Sequence, residues 1–219
     1  MVGGSRADLK LAAALALLAL LWGAMLWLGG TGADRTILDA LYQAGAVPGR
    51  EVVGAITHLG AYPVLVGLAL LGLIALLARG ERRRAMLLAG LATLGPLFVE
   101  LQKHWFGRLR PHDQEHLVVV QSYAFPSGHS ANSLLIWLSV ALLVVEGPRA
   151  RPFAIVAALL IAGAVGLSRP MLGVHWPSDV VGGWGLALFL LLLLSRLAGV
   201  PLGRAGTAAA PAHSLREGE

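Results

Sequence analysis

Residues 122–145 read SYAFPSGHSANSLLIWLSVALLVV: a proline, a serine, a glycine and a histidine stand at the mouth of a long apolar run. A straight membrane span takes about 20 apolar residues. Besides this run, about 128–146, five more stretches qualify in character: about 9–28, 52–78, 85–101, 152–168 and 180–196. The runs are continuous rather than alternating, which excludes a transmembrane β-barrel. Of the 219 residues, 57% are hydrophobic and 13% charged, and the mean hydropathy is +0.73. A soluble domain would carry roughly a quarter charged residues. The expected fold is therefore all-α, a polytopic membrane protein with six transmembrane helices in one bundle over residues 1–200.

Some spans are short. Between Arg84 and Glu100 only 15 uncharged positions remain, which is acceptable when charged ends sit against neighbours or face a water-filled cleft. Arg6 and Lys10 before the first apolar run resemble a signal peptide. The run is about 18 residues, longer than a signal core, and GGTGADR is an imperfect cleavage site, so a retained first span is expected. With the N-terminus inside, eleven of the 17 lysines and arginines fall in inner segments and six in outer ones. The excess of inner positive charge orients the chain with both termini cytoplasmic. The outer loops are then 29–51, 102–127 and 169–179.

In the first outer loop, ADRTILDALYQAG (33–45) places Ile37, Leu38, Leu41 and Tyr42 on one helical face, with Asp34 as its cap. A short interfacial helix is expected there. Residues 201–219 are small, polar and rich in glycine and proline, and read as a disordered cytoplasmic tail, with His213 a bystander. There is no cysteine, hence no disulfide, thiolate metal site or cysteine nucleophile. The net charge of +5 reflects topology rather than nucleic acid. The main basic cluster, ARGERRR (78–84), lies between spans without interleaved aromatics. Glycines 182, 183 and 185 allow close helix approach, which a bundle requires with or without a dimer.

Three polar clusters fall at the outer ends of spans: KHWFGRLRP (103–111), PSGH (126–129) and SRPMLGVHWPSD (168–179). Trp105, Trp176 and Arg108 read as interfacial anchors; Glu100 and Gln102 either tune phosphate affinity or cap their span, and the cap is the preferred reading. Anchoring does not account for Lys103, Arg110, Arg169, two histidines and an aspartate at one depth. Each charge at mid-bilayer costs about 2.5–3.5 kcal/mol on insertion scales. Three cations and two imidazoles together suit a polyanion such as phosphate. Arg110 and Arg169 offer forked donors and Lys103 a point charge. Ser127 and Gly128 open a helix whose free N–H groups and positive end seat an anion, with a histidine one turn in. His175 and Asp179 are spaced i, i+4, so the carboxylate can hold one imidazole nitrogen and aim the other at phosphorus. His129 is then the acid for the leaving group and afterwards the base for water.

In order and spacing, Lys103 to Arg110–Pro111, Pro126–Ser127–Gly128–His129, and Ser168–Arg169 to His175 to Asp179 match K-x6-R-P, P-S-G-H and S-R-x5-H-x3-D. The chain thus resembles the type-2 phosphatidic acid phosphatase superfamily of integral-membrane lipid phosphatases. That resemblance implies His175 as nucleophile, Asp179 as its partner and His129 as acid, with Lys103, Arg110, Ser127, Gly128 and Arg169 around the phosphate. It also implies hydrolysis without metal or other cofactor, on phosphatidylglycerophosphate, phosphatidic acid or isoprenyl pyrophosphates. His112 and His116, spaced i, i+4, have no evident third partner for zinc. The rival readings are a phospholipid-headgroup binder or transporter and an intramembrane serine protease using Ser127; the second leaves Lys103, Arg110 and Arg169 without a role. The outward loops place the site away from the cytoplasm, in the plasma membrane of a bacterium.

Overall fold

The computed structural model describes residues 6–46 and 49–202, and the tail expected to be disordered lies, apart from residues 201 and 202, outside them. The described residues form eight helices: α1 (Arg6–Leu28), α2 (Gly32–Ala44), α3 (Arg50–His58), α4 (Tyr62–Ala78), α5 (Arg82–Phe106), α6 (Gly128–Leu143), α7 (Ala150–Met171) and α8 (Pro177–Leu197). The all-helical expectation holds among them. Five segments are long and apolar enough to cross a membrane: α1, the stretch Arg50–Ala78, α5, α7 and α8; α6 is a shorter apolar helix.

The short apolar helix α6 lies at the centre, packed against α4, α5, α7 and α8, while α1 lies outside against α8. The core runs through Leu88, Leu91 and Val99 of α5, Leu135 and Leu138 of α6, and Leu186 and Leu190 of α8. Leu17 and Leu20 of α1, Ile74 of α4 and Leu160 of α7 remain exposed around this core, as side chains bathed by lipid do.

Three sequence expectations change. Residues 52–78 are not one continuous helix, because the chain breaks at 59–61 between α3 and α4. Gly60 sits at that break, where a Cβ would come 2.4 Å from Val165 Cγ1 and 3.4 Å from the ring of His129. The turn can approach the bundle only without a side chain. The fifth helix extends past both charged ends of its apolar run and closes at Gly107 with φ +58°, a left-handed cap that favours glycine. The second helix is present, but Thr31 caps it, its side chain accepting from the Asp34 backbone N–H. Asp34 is instead buried, and α2 packs on α7 and α8. Its buried positions are Asp34 and Leu38, while Ile37 faces outward.

The two most confined helices meet at Gly183. A Cβ there would lie 2.8 Å from the Ser127 carbonyl and 3.2 Å from the Ala131 nitrogen, both backbone atoms. At Gly185 the nearest atoms are 3.7 and 3.8 Å away, ordinary contact. Gly183→Ala should destabilise the protein by about 1–3 kcal/mol, as overpacking does. Gly185→Ala should change stability by less than about 0.5 kcal/mol. Thermal unfolding in detergent, followed by intrinsic fluorescence, compares the two; equal midpoints would refute the close α6–α8 approach.

Candidate active site

All three sequence clusters meet at the end of the bundle where α5 and α7 finish and α6 and α8 begin. Lys103 lies in the last turn of α5, and Arg110 follows in the irregular segment after Gly107. Ser127 is the N-cap of α6, its Oγ accepting from the Ser130 backbone N–H at 3.5 Å and from the Ser130 hydroxyl at 2.9 Å. His129 falls inside the first turn of α6, nearer its start than a full turn. Arg169 belongs to the last turn of α7, and His175 precedes α8. Pro177 opens that helix, where the N–H that proline lacks would have no partner.

A cleft of about 400 Å³ is lined by Lys103, Arg110, Gly128, His129, Arg169 and His175. Glu100, Ser122 and Asn132 also line it, as do Tyr62, Leu65 and Pro96 from α4 and α5. Two of the expected residues stand behind this wall rather than in it: Ser127 and Asp179, both fully buried.

The cations are held by neutral oxygens. Lys103 Nζ donates to Ser122 Oγ at 2.8 Å. Arg110 Nε donates to the Ser122 carbonyl at 2.7 Å, and its Nη1 to the Val174 carbonyl at 2.5 Å. Arg169 Nη1 donates to Thr57 Oγ1 at 2.7 Å, while its buried Nε has no hydrogen-bond partner. These bonds aim the charges without neutralising them, so an oxyanion would enter a field already arranged. Among the described residues lining the cleft one carboxylate is present, Glu100, 3.5 Å from Lys103. Glu100 therefore lines the cleft instead of capping its span, and Gln102 accepts from Trp22 Nε1 at 3.1 Å. The closeness of Gly128 to the charge is visible too: a Cβ there would lie 3.8 Å from Lys103 Nζ.

Beneath the cleft, His175 Nδ1 is 3.2 Å from Asp179 Oδ2, which also accepts from the Trp176 backbone N–H at 2.9 Å. The carboxylate thus caps α8 and fixes the imidazole with one oxygen. His175 Nε2 is 3.0 Å from Arg110 Nη1, at the cleft wall. Burial first, and then Arg110, Arg169 and Lys103, push this imidazole well below its ordinary pKa. A neutral ring with Nδ1–H held by Asp179, and its Nε2 lone pair turned to the Arg110 guanidinium at the cleft, is the nucleophilic form once phosphate takes that guanidinium's donor.

Trp105 is 85% exposed, whereas Trp176 and Arg108 are turned inward and are not anchors. Trp176 is 4% exposed, and its indole N–H donates to the Leu109 carbonyl at 3.0 Å. Arg108 pairs with Asp179 at 2.6 Å. Sequence reasoning also passed over Ser122, Asn132 and Thr57. Asn132 alone carried a signal, being three residues beyond His129 on the same face of α6. Of the two loop histidines, His116 Nε2 lies 2.6 Å from the Pro111 carbonyl and His112 pairs with Asp113 at 3.3 Å.

A helical membrane protein whose distant segments gather three cations, a helix start and an imidazole–carboxylate pair around one cleft falls in the class built to hold a phosphate group. The chain belongs to the PAP2 superfamily, which residues 84–200 match. It is 33% identical over 162 residues to phosphatidylglycerophosphatase B of Bacillus subtilis, covering 66% of this chain and 73% of that one. It is 28% identical over 99 residues to an undecaprenyl-diphosphatase of Sulfolobus acidocaldarius, covering 43% and 45% respectively. It is 36% identical over 107 residues to a lipid A 1-phosphatase of Rhizobium johnstonii, covering 44% and 41%. The chain spans less than half the length of these last two. The crystal structure of the PAP2-type phosphatidylglycerolphosphate phosphatase from Bacillus subtilis superposes with a TM-score of 0.71 at 30% identity, covering 87% of this chain and 96% of that one.

Proposed function

We propose that this protein hydrolyses the phosphate monoester or diphosphate of a membrane lipid through a phosphohistidine on His175. The observation that carries this reading is the cleft itself, where His175, held from behind by Asp179, meets Lys103, Arg110 and Arg169. Membership of the PAP2 superfamily supports it. So do relatives named for phosphatidylglycerophosphate, undecaprenyl diphosphate and lipid A 1-phosphate, whose common chemical feature is a phosphate on a lipid.

In the first step His175 Nε2 attacks phosphorus and the bond to the leaving oxygen breaks, that oxygen taking a proton from His129. Lys103, Arg110, Arg169 and the N–H groups at Gly128 stabilise the charge on the equatorial oxygens. Ser127 orders that helix start from behind. In the second step His129, now neutral, takes a proton from water as the water attacks the phosphohistidine. Inorganic phosphate leaves and His175 is restored. Asp179 holds Nδ1–H throughout, keeping the ring's other nitrogen toward phosphorus.

In this reading six spans cross the bilayer: α1, α4 with α3 leading into it, and α5 to α8. Both termini are cytoplasmic, and α2 lies at the outer interface. The cleft then opens outward and is reached by lipid from the side, past Tyr62, Leu65 and Pro96.

The test is release of inorganic phosphate by purified protein in detergent, from phosphatidylglycerophosphate, phosphatidate and an isoprenyl diphosphate, with EDTA present. Turnover of at least one of them, unchanged by the chelator, is expected. Binding of all three without release would favour a headgroup binder and overturn the reading.

A further inference from the structure

Four hydrogen bonds converge on the side chain of Arg108, which does not line the cleft. Arg108 Nη1 donates to Asp179 Oδ1 at 2.6 Å and to Ser178 Oγ at 3.2 Å. Its Nη2 donates to the Met25 carbonyl at 3.0 Å and to the Leu26 carbonyl. The guanidinium carbon stands 4.3 Å from the centre of the Phe125 ring. The backbone of the same residue accepts from the Ala124 N–H at 2.8 Å. One side chain therefore joins the end of α1, the segment before α6 and the first turn of α8.

The two oxygens of Asp179 are divided between two tasks. Oδ2 serves His175 and the Trp176 backbone, whereas Oδ1 serves Arg108. The carboxylate is 0% exposed and the Arg108 side chain 12%. Without a cation, a carboxylate this deep would be costly, and removing one partner of such a pair leaves the other uncompensated. Rotation of the carboxylate would also take Oδ2 away from His175 Nδ1. A second support stands behind the first: Asp34 of α2 accepts from the Ser178 backbone N–H at 3.0 Å and from its hydroxyl at 2.7 Å. These α1 and α2 contacts come from residues preceding the matched stretch 84–200.

We propose that Arg108 is a positioning residue for the reaction, locking Asp179 so that His175 stays aimed, with Asp34 bracing the same turn through Ser178. This rests on the phosphohistidine reading given above. Arg108 and Arg110, two residues apart, then divide the work. Arg110 faces the imidazole and the cleft; Arg108 faces the carboxylate and the bundle.

A double-mutant cycle with Asp179→Asn tests the link. Arg108→Gln should lower kcat about 10- to 100-fold, the range seen when an outer partner of an oriented histidine is lost. KM should hold within about threefold, because none of the residues lining the cleft is touched, so the loss in kcat/KM should stay within about threefold of the loss in kcat. In the Asp179→Asn background the same change should cost less than about threefold. Equal losses in both backgrounds, or full kcat in the single variant, would overturn the proposal. Should Arg108→Gln fail to fold, Arg108→Lys enters the same cycle, keeping the charge but not the fork that spans carboxylate and helix carbonyls. A second readout needs no substrate: the rate at which diethyl pyrocarbonate modifies His175, resolved by mass spectrometry. Arg108→Gln should slow it in the wild-type background and not in Asp179→Asn. If the wild-type protein released no lipid phosphate, the parent reading would fall, while this rate would still decide for or against the link.

Discussion

His175→Ala protein is expected to release phosphate from its lipid substrate about 10⁴-fold or more slowly than wild type, the loss typical when a covalent nucleophile is removed. Among the described residues lining the cleft, His175 is the one imidazole held from behind by a carboxylate, at 3.2 Å from Asp179. In the proposed cycle the charges that hold phosphate come from other residues, so KM should change far less than kcat. Alanine removes the attacking atom and leaves the seat. Because burial and three neighbouring cations keep this ring neutral well below the ordinary imidazole range, acidification from pH 7 toward 6 should not disarm it. A fall in kcat/KM over that interval would have to come from another group. The decisive comparison is with Ser127→Ala. Ser127 Oγ is engaged with Ser130 at 2.9 Å, and the residue is fully buried behind the cleft. If Ser127→Ala abolished turnover while His175→Ala retained it, the nucleophile would be serine and the phosphohistidine route would be wrong.

The cations and imidazoles of the cleft were legible because each sets an unusual residue type at or just beyond the end of an apolar run. A charge or imidazole at the end of an apolar run has a cost that the sequence alone reveals. Arg108 was not legible for the same reason: as one more cation at a membrane edge, it satisfied the anchor rule. Only the fold places it against Asp179, 71 residues away. The break at 59–61 had a trace in Gly60 and Pro63, yet nothing in an otherwise apolar run showed that the turn would press on His129. Asp34 was misread because Thr31, three residues earlier, is also a competent cap, and it takes the Asp34 N–H. The winner was decided by Ser178, which needed the carboxylate for its own backbone N–H. Local chemistry was therefore readable, and the bonds between distant segments that set its geometry were not.

The histidine of α6 should show a different defect, one that depends on the leaving group. His129 has no attacking role in the proposed cycle; its proton is needed where the leaving oxygen is a poor one. With a lipid monoester, whose leaving alkoxide is strongly basic, His129→Ala should lower kcat about 10²- to 10⁴-fold. With p-nitrophenyl phosphate the leaving phenolate needs no proton, so phosphorylation of His175 should survive. Hydrolysis of the intermediate should not, because water then lacks its base. His129→Ala should therefore accumulate a phosphoenzyme on p-nitrophenyl phosphate that wild type clears. Alkaline quenching preserves a phosphohistidine and acid destroys it, and mass spectrometry would place the group on His175. The position of the ring makes this separation possible. It lines the cleft beside Gly128 and is backed by the turn at Gly60, so alanine removes a proton carrier and leaves the cations and His175 in place. Equal losses on both substrates with no trapped phosphoenzyme would show that His129 shapes the cleft rather than moving a proton. The trapped species would instead divide the reaction at its covalent midpoint, assigning attack to α8's histidine and proton traffic to α6's.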